Sequence, residues 1–463
     1  MEPECDLLVV GGGVAGASAA IAAADLGLDV LLIEKTGRPG GSALWSGGNL
    51  LDLQGPGALP HLRSLSFGRT DDAVLGAYAD GLAGLRGRLE SLGARTEDVP
   101  WLPHCWPHLP GAESVAYYRV AGAEPAGPAL WGALARALDD RGVRVRTHAA
   151  LARLTTEHDR VTGARIATAD GEQVVRARAG VVLATGGFEA SADLKAAYLP
   201  VPDLVPVAGD GNTGDGLRAA QQVGAALWHM STFFGFWAFQ PPGGASAIPV
   251  LPLGRGFLLV DASGRRFHAE AGREAHDLLR PVGDVLPGRD VVPSLPATLI
   301  VDDALLAAGP LAPFPAPDRA PWSADNDAEL DRGWFVTADS PTELAAALGM
   351  DPATLTATVE AFETAAEQGG DAFGRDPGTM APLTGRLHAL PVWPGAATTS
   401  GGPRRDAGAR VVRWDGSPVP GLFAAGGLGS VWGHLTHHGG GLTDGLVFGA
   451  IAARSAAEAM TRR

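Results

Sequence analysis

The stretch CDLLVVGGGVAGASAAIAAADLGLDVLLIEK, residues 5–35, limits the possible folds of this chain more than any other. An apolar run ends at Gly11, Gly13 and Gly16, a small-residue segment with helical texture follows, and a second apolar run ends at Glu34. Glycines at these places permit a tight turn, close approach of a pyrophosphate to a helix N-terminus, and close packing of helix on strand. Glu34 stands 21 residues beyond Gly13, where a carboxylate can hold a ribose diol. Strand, helix, strand and acid together predict a βαβ dinucleotide site, with Val14 and Ala15 opening its helix. Glutamate in place of arginine at 34 argues against a 2′-phosphate.

FAD and NAD use the same fingerprint, so the choice between them rests on the residues downstream of Glu34. A second glycine-rich loop, GRPGGSALWSGGNL, begins within a few residues of it. Lys35, Gly41, Ser42, Ser46, Gly47 and Gly48 lie in or beside it, suited to running backbone amides along an extended cofactor. Thr185 and Gly186 follow another buried strand in VVLATGG, and no second GxGxxG offers a nicotinamide site. One nucleotide, FAD, is the economical reading.

The rest of the chain is consistent with a soluble α/β protein of 463 residues. Apolar residues make up 46% and charged residues 19%, enough for a large core. Fifty-one acidic against thirty-six basic residues give a net charge of −15, which disfavours nucleic acid and anionic membranes as partners. Cys5 and Cys105 form neither CxxC nor a metal-ligand pattern, so redox chemistry needs a borrowed cofactor. No apolar run reaches the roughly twenty residues of a spanning helix. MEPECDLLVVGGG enters a core strand without a leader-like segment, so a cytoplasmic protein is expected. Texture divides the chain into a first nucleotide-domain part, 1–236, a proline-punctuated insert, 237–395, and a second nucleotide-domain part, 396–463. Within the insert, SPTELAAALG and DPATLTATVEAFETAAEQ read as helices with Ser340 and Asp351 as N-caps.

VVGGGVAGASAA, IEK with GGSALWSGG, VVLATGGFEAS, GDGNTGDGL, DASGRRFHAE and DGSPVPGLFAAGG…GGGLTDGLVFGAIAA occur in that order along nearly the whole chain. In this combination the chain resembles the fumarate reductase and 3-ketosteroid Δ1-dehydrogenase superfamily of FAD-dependent oxidoreductases. The resemblance implies a glutathione-reductase-like Rossmann FAD domain built from both chain ends, with an inserted α+β capping domain that carries substrate contacts. It adds Thr185, Gly186, Asp215, Thr399, Gly427, Leu442 and Thr443 to the cofactor contacts. Because GGSALWSGG holds no histidine to attach a flavin, noncovalent FAD is expected.

The chain also departs from those relatives. Two carboxylates in a closed pocket need charge-assisted donors, and several donors of the fumarate reductases are absent. Thr398 stands where they carry histidine, and His437 where they carry arginine or the steroid enzymes tyrosine. Arg273, in AEAGREAHD, is the candidate catalytic arginine, but its spacing after Arg266 and Phe267 is one residue short, and a surface ion pair is the alternative. The insert has no tyrosine to serve as a base; His268, His276 and His388 are its possible substitutes. Phe233, Phe234, Phe236, Trp237 and Phe239 either line an apolar pocket or pack a core.

WGHLTHHGGGLTDG places His434, His437 and His438 before three glycines. No carboxylate or cysteine adjoins them to complete a metal shell, so no metal is expected. In the resembled family a helix starts here and aims its first amides at the flavin. His437, aided by the Gly441 amide, is therefore expected to hydrogen-bond a substrate carbonyl, with His438 and Tyr118 beside it. Tyr117 and Arg119 flank Tyr118 and share its candidacy. The expected activity is two-hydrogen transfer at a carbon–carbon bond beside a carbonyl of a largely apolar or cyclic ketone-like small molecule, with the electron acceptor open. Reduction of an unsaturated carboxylic acid is the alternative, and a non-catalytic flavin carrier or sensor the alternative of another class.

Overall fold

Leu7, Leu8 and Val9 are fully buried in a strand, Glu4–Val10, that pairs in parallel on both sides, which is why its apolar run does not alternate. The computed structural model describes residues 4–122, 125–201, 203–243, 246–271, 295–313 and 321–461. The chain divides into two compact units, one of Met1–Leu199, Ala208–Phe233 and Thr398–Arg463, the other of Pro200–Val207 and Phe234–Ala397.

In the first unit, Glu4–Val10 is followed by the helix Val14–Asp25 and the strand Val30–Ile33, as the glycine fingerprint requires. Five parallel strands run in the order Pro418–Ala424, Gly171–Leu183, Glu4–Val10, Val30–Ile33, Arg144–Arg146. Arg410–Val412 adds an antiparallel edge, and the hairpin of Ala150–Glu157 and Arg160–Thr168 pairs with the early part of the long strand. The C-terminal helix, Gly440–Thr461, packs on Val14–Asp25 through small residues: a methyl on Gly449 would lie 2.4 Å from the Ala15 carbonyl oxygen. A separate three-stranded antiparallel sheet, Asn49–Leu53, Val115–Val120 and Thr96–Asp98, stands beside the helix Ala58–Ser66 in sequence.

The second unit is built on the strand Leu387–Ala396, which pairs antiparallel with Ala297–Asp302, Trp237–Phe239 and Val336–Ala338. Its two longer helices are Pro341–Leu348 and Pro352–Gln368, and their N-caps are Ser340, accepting from Glu343 N at 3.2 Å, and Asp351, accepting from Thr354 N at 2.9 Å. The unit is larger than the insert read from sequence texture. Pro200–Val207 joins it because Val205–Pro206 pairs in parallel with Gly395–Ala396, and Val207 packs with Ala238 and Ala247. A two-residue strand in a loop-like segment leaves no periodicity to read.

Candidate active site

Two of the fingerprint glycines hold the βαβ turn together. Gly11 has φ +107°, and a methyl there would lie 2.3 Å from Ala184 O; on Gly16 it would lie 1.9 Å from Gly11 O. Gly13 is different, because a methyl there would meet nothing nearer than Gly41 Cα at 3.8 Å. Its face is the open one, at the N-cap of a helix whose first turn begins with Val14 and Ala15. The second glycine loop lies against this turn through Gly40 N donating to Gly12 O at 2.8 Å. Glu34 Oε2 accepts from Gly12 N at 2.8 Å, and Oε1 accepts from Thr36 N at 2.9 Å and from its hydroxyl at 3.0 Å. The carboxylate is thereby fixed at the turn with acceptor capacity left for a diol.

Other expected cofactor residues fall into two groups. Lys35 and Asp215 are paired with each other, Nζ to Oδ2 at 2.8 Å, and Lys35 also donates to Thr213 Oγ1 at 2.6 Å. Ser46 donates to Ala43 O at 2.9 Å and closes its own loop, while a methyl on Gly48 would strike Ala126. The Thr399 hydroxyl accepts from Phe188 N at 2.8 Å and reaches the buried Glu189 at 3.2 Å. Thr443 turns inward to the Tyr78 hydroxyl at 2.6 Å. Gly427 packs on Thr398, where a methyl would lie 3.0 Å from its hydroxyl oxygen, and Gly186 packs on Asn212, whose amide donates to Ser42 Oγ at 3.0 Å. These residues hold the loops by side-chain or packing contacts. The open groups are Gly13, Gly47 and Gly441, with Gly41 opposite Gly13 and Leu442 half-buried in the helix's first turn.

Buried polar atoms without a partner mark where an extended polar ligand fits. Thr185 Oγ1, Trp45 Nε1 and Asn49 Oδ1 are such atoms. Thr185 follows Ala184 beside the Gly11 turn, and Asn49 lies between the two loops: its side chain is 3.7 Å from the Cβ position of Gly47, its carbonyl oxygen 2.1 Å from that of Gly439. Orphaned buried groups of this kind are costly unless a ligand or water satisfies them. Gly13, Gly41, Trp45, Gly47, Asn49, Thr185, Gly441 and Leu442 are therefore the residues that would hold FAD, through open backbone or unpartnered polar atoms. Asn49 was beyond sequence reasoning, which stopped at the last glycine of the loop.

The histidines before that helix separate into three roles. His434 packs against Phe67, ring centroids 4.5 Å apart, and His438 meets the ring of Tyr117 edge-on at 5.7 Å. His437 is buried, with Nε2 2.7 Å from His61 Nε2 and Nδ1 2.9 Å from the Tyr117 hydroxyl. Both ring nitrogens of His437, the residue expected to donate to a substrate carbonyl, are engaged within the protein. His61, on the helix Ala58–Ser66, is fully buried and places Nδ1 2.9 Å from Pro110 O. Burial, followed by the neighbouring His61, His438 and His104, pushes His437 down to about 3; burial also lowers His61. Burial thus favours the neutral form of both rings. Among the described residues no group of three or more His, Cys, Asp or Glu is arranged to hold a metal ion.

The two candidate tyrosines face different ways. Side chains alternate along a strand, and on Val115–Val120 it is Tyr117 that faces His437. Tyr118 points the other way, its ring under the Arg86 guanidinium at 5.3 Å and its buried hydroxyl unpartnered. Arg119 pairs with Glu97 at 2.7 Å. In the second unit, His388 spends both nitrogens, on Asp303 at 2.8 Å and Thr337 at 2.9 Å, and Phe239 and Phe267 pack its core with Trp237 against them. Arg273 and His276 lie outside the described residues.

Residues 6–443 match the family described as FAD binding domain. The chain belongs to this FAD-binding family. Its cofactor is FAD. A 3-oxosteroid 1-dehydrogenase of Mycobacterium tuberculosis (strain ATCC 25618 / H37Rv) is 29% identical, over 99% of this chain and 99% of its own length. An NADH:fumarate oxidoreductase of Klebsiella pneumoniae (strain 342) is 26% identical over 98% of this chain, which spans only 48% of that protein. The fold matches that of a 3-ketosteroid delta1-dehydrogenase from Sterolibacterium denitrificans, solved with 1,4-androstadiene-3,17-dione, with a TM-score of 0.86 and 24% identity over 98% of this chain and 99% of the other. Among the described residues no helix is long and apolar enough to cross a membrane.

Proposed function

We propose that this FAD-dependent oxidoreductase removes two hydrogens across a carbon–carbon bond next to the carbonyl of a largely apolar, cyclic ketone-like substrate. The observation that carries this reading is the buried hydrogen-bonded line of Tyr117, His437 and His61 beside the C-terminal helix start, where burial favours the neutral form of both imidazoles. Tyr117 hydrogen-bonds His437, and His437 hydrogen-bonds His61, with no Lys, Arg, Asp or Glu in either bond. A ketone needs such a neutral, directional environment, whereas a dicarboxylate needs charge-assisted donors. FAD, when bound, supplies the two-electron acceptor for the hydride. The Gly441 amide, exposed in the first turn of a 22-residue helix, is the group that polarises the carbonyl, since enolate charge is favoured at a helix N-terminus. Extension of the steroid dehydrogenase similarity over the whole of both chains supports the same direction.

Reduction of an unsaturated carboxylic acid is the competing reading, supported by similarity to the Klebsiella protein. The two separate in one anaerobic experiment on the purified yellow holoprotein. Saturated cyclic ketones should bleach the oxidised flavin. If no ketone bleaches it, while fumarate or acrylate reoxidises the dithionite-reduced protein, the competing reading stands instead.

A further inference from the structure

The His61–His437–Tyr117 chain has a defined hydrogen-bond direction. Pro110 O can only accept, so His61 Nδ1 carries a proton and the neutral ring leaves Nε2 as acceptor. His437 Nε2 must then donate to His61, which leaves His437 Nδ1 to accept from the Tyr117 hydroxyl. The Tyr117 oxygen can in turn accept from Cys105 Sγ, 3.5 Å away. One end is closed: His61 is fully buried against Pro110. The other end, at buried Tyr117, meets half-buried Cys105 and His438 and exposed His104, whose ring meets Tyr117 edge-on at 6.1 Å. Trp106 Nε1 donates to Thr436 O at 2.7 Å and holds this loop on the histidine segment.

We propose that Tyr117 is the proton-transfer group of the reaction, and that His437 and His61 are positioning residues that fix its hydroxyl and receive its proton. The proposal rests on the dehydrogenase reading for its direction only. As the substrate C–H bond beside the carbonyl breaks, its proton goes to the Tyr117 oxygen and its electron pair to the new C=C bond. The Tyr117 proton passes to His437 Nδ1 and the His437 Nε2 proton to His61 Nε2; FAD, when bound, would supply the acceptor for the hydride of the neighbouring carbon. His61 ends as an imidazolium still donating to Pro110 O. Reduction runs the same transfers backwards. The geometry suits this use, because the bare His61 Nε2 is a proton acceptor at the far end of an unbroken hydrogen-bond line from the Tyr117 oxygen. The titratable groups facing the pair are Tyr117, Cys105, His104, His438 and, towards His61, Glu113.

Two measurements on the holoprotein test it. Nitrogen-15 NMR at neutral pH should find His437 protonated at Nε2 and bare at Nδ1, and His61 the reverse; opposite tautomers or an imidazolium at either ring would overturn the relay whatever the substrate. Rapid-mixing flavin kinetics then use whichever probe reacts with the wild type, a cyclic ketone or fumarate, so that loss of the dehydrogenase reading leaves the relay testable. Tyr117→Phe should slow the flavin step by about a hundredfold or more with probe affinity and FAD content kept. His61→Gln should displace the pH profile of the step with a smaller loss, and His434→Gln should match the wild type. A Tyr117→Phe protein that holds FAD and reacts at the wild-type rate would sink the assignment; if Tyr117→Phe fails to fold, an unchanged pH profile in His61→Gln would do so.

Discussion

His437 and His61 stand 376 positions apart in sequence and 2.7 Å apart in space, and no local pattern could have paired them. Their burial carries a linkage prediction. His437 drops from an ordinary value of 6.5 to about 3, and His61 moves in the same direction. The unfolded chain therefore takes up protons that the folded one refuses as pH falls from 6.5 towards 3. This contribution costs stability progressively over that range and is absent above it. Thermal unfolding from about pH 4 to 8 should show wild type losing more stability on acidification than His437→Gln; equal slopes would mean that the imidazole titrates freely in the fold. Glu34 gives a second residue-scale outcome. Glu34→Ala removes the acceptor of Gly12 N and of a ribose diol, bonds contributing roughly 1.5–3 kcal/mol each at most. Flavin occupancy after dilution should fall at least about tenfold, and unchanged occupancy would take the carboxylate out of the site.

At the scale of elements, the glycine turn separates packing from binding. A methyl on Gly16 would sit 1.9 Å from a backbone oxygen that cannot swing aside, so Gly16→Ala should destabilise the unit by about 1–3 kcal/mol or more. Gly13→Ala has room within the protein and should leave apoprotein melting nearly unchanged while weakening FAD binding. Calorimetry of both apoproteins with a flavin titration checks the pair; similar melting losses would deny the distinction. The βαβ turn and the capped helices of the second unit were legible because each rests on local chemistry, glycine space or a side-chain cap. Strand parity was not. Nothing in YYR says which of two buried tyrosines meets the histidine segment until the strand is placed, with Leu51 and Leu50 across from Tyr117 and Tyr118. The side-chain contacts of Ser46, Thr399 and Thr443 escaped for a similar reason, since short hydroxyls serve loops and ligands equally well.

For the whole molecule, the sequence reading divided the chain at 236/237 and 395/396, whereas the second compact unit comprises Pro200–Val207 and Phe234–Ala397. The strand within Pro200–Val207 takes its place from pairing with Leu387–Ala396, a partner nearly two hundred positions away. With no histidine in GGSALWSGG, acid precipitation should release all the flavin as FAD; colour retained in the pellet would indicate covalent attachment. The central claim is flavin-linked dehydrogenation beside a carbonyl, and a single anaerobic turnover tests it most directly. Holoprotein mixed with a slight excess of a saturated cyclic ketone should yield one equivalent of the conjugated enone for each flavin bleached, as measured by absorbance and mass spectrometry. Bleaching without enone, or an intact ketone beside fully oxidised flavin across the ketone panel, would contradict it.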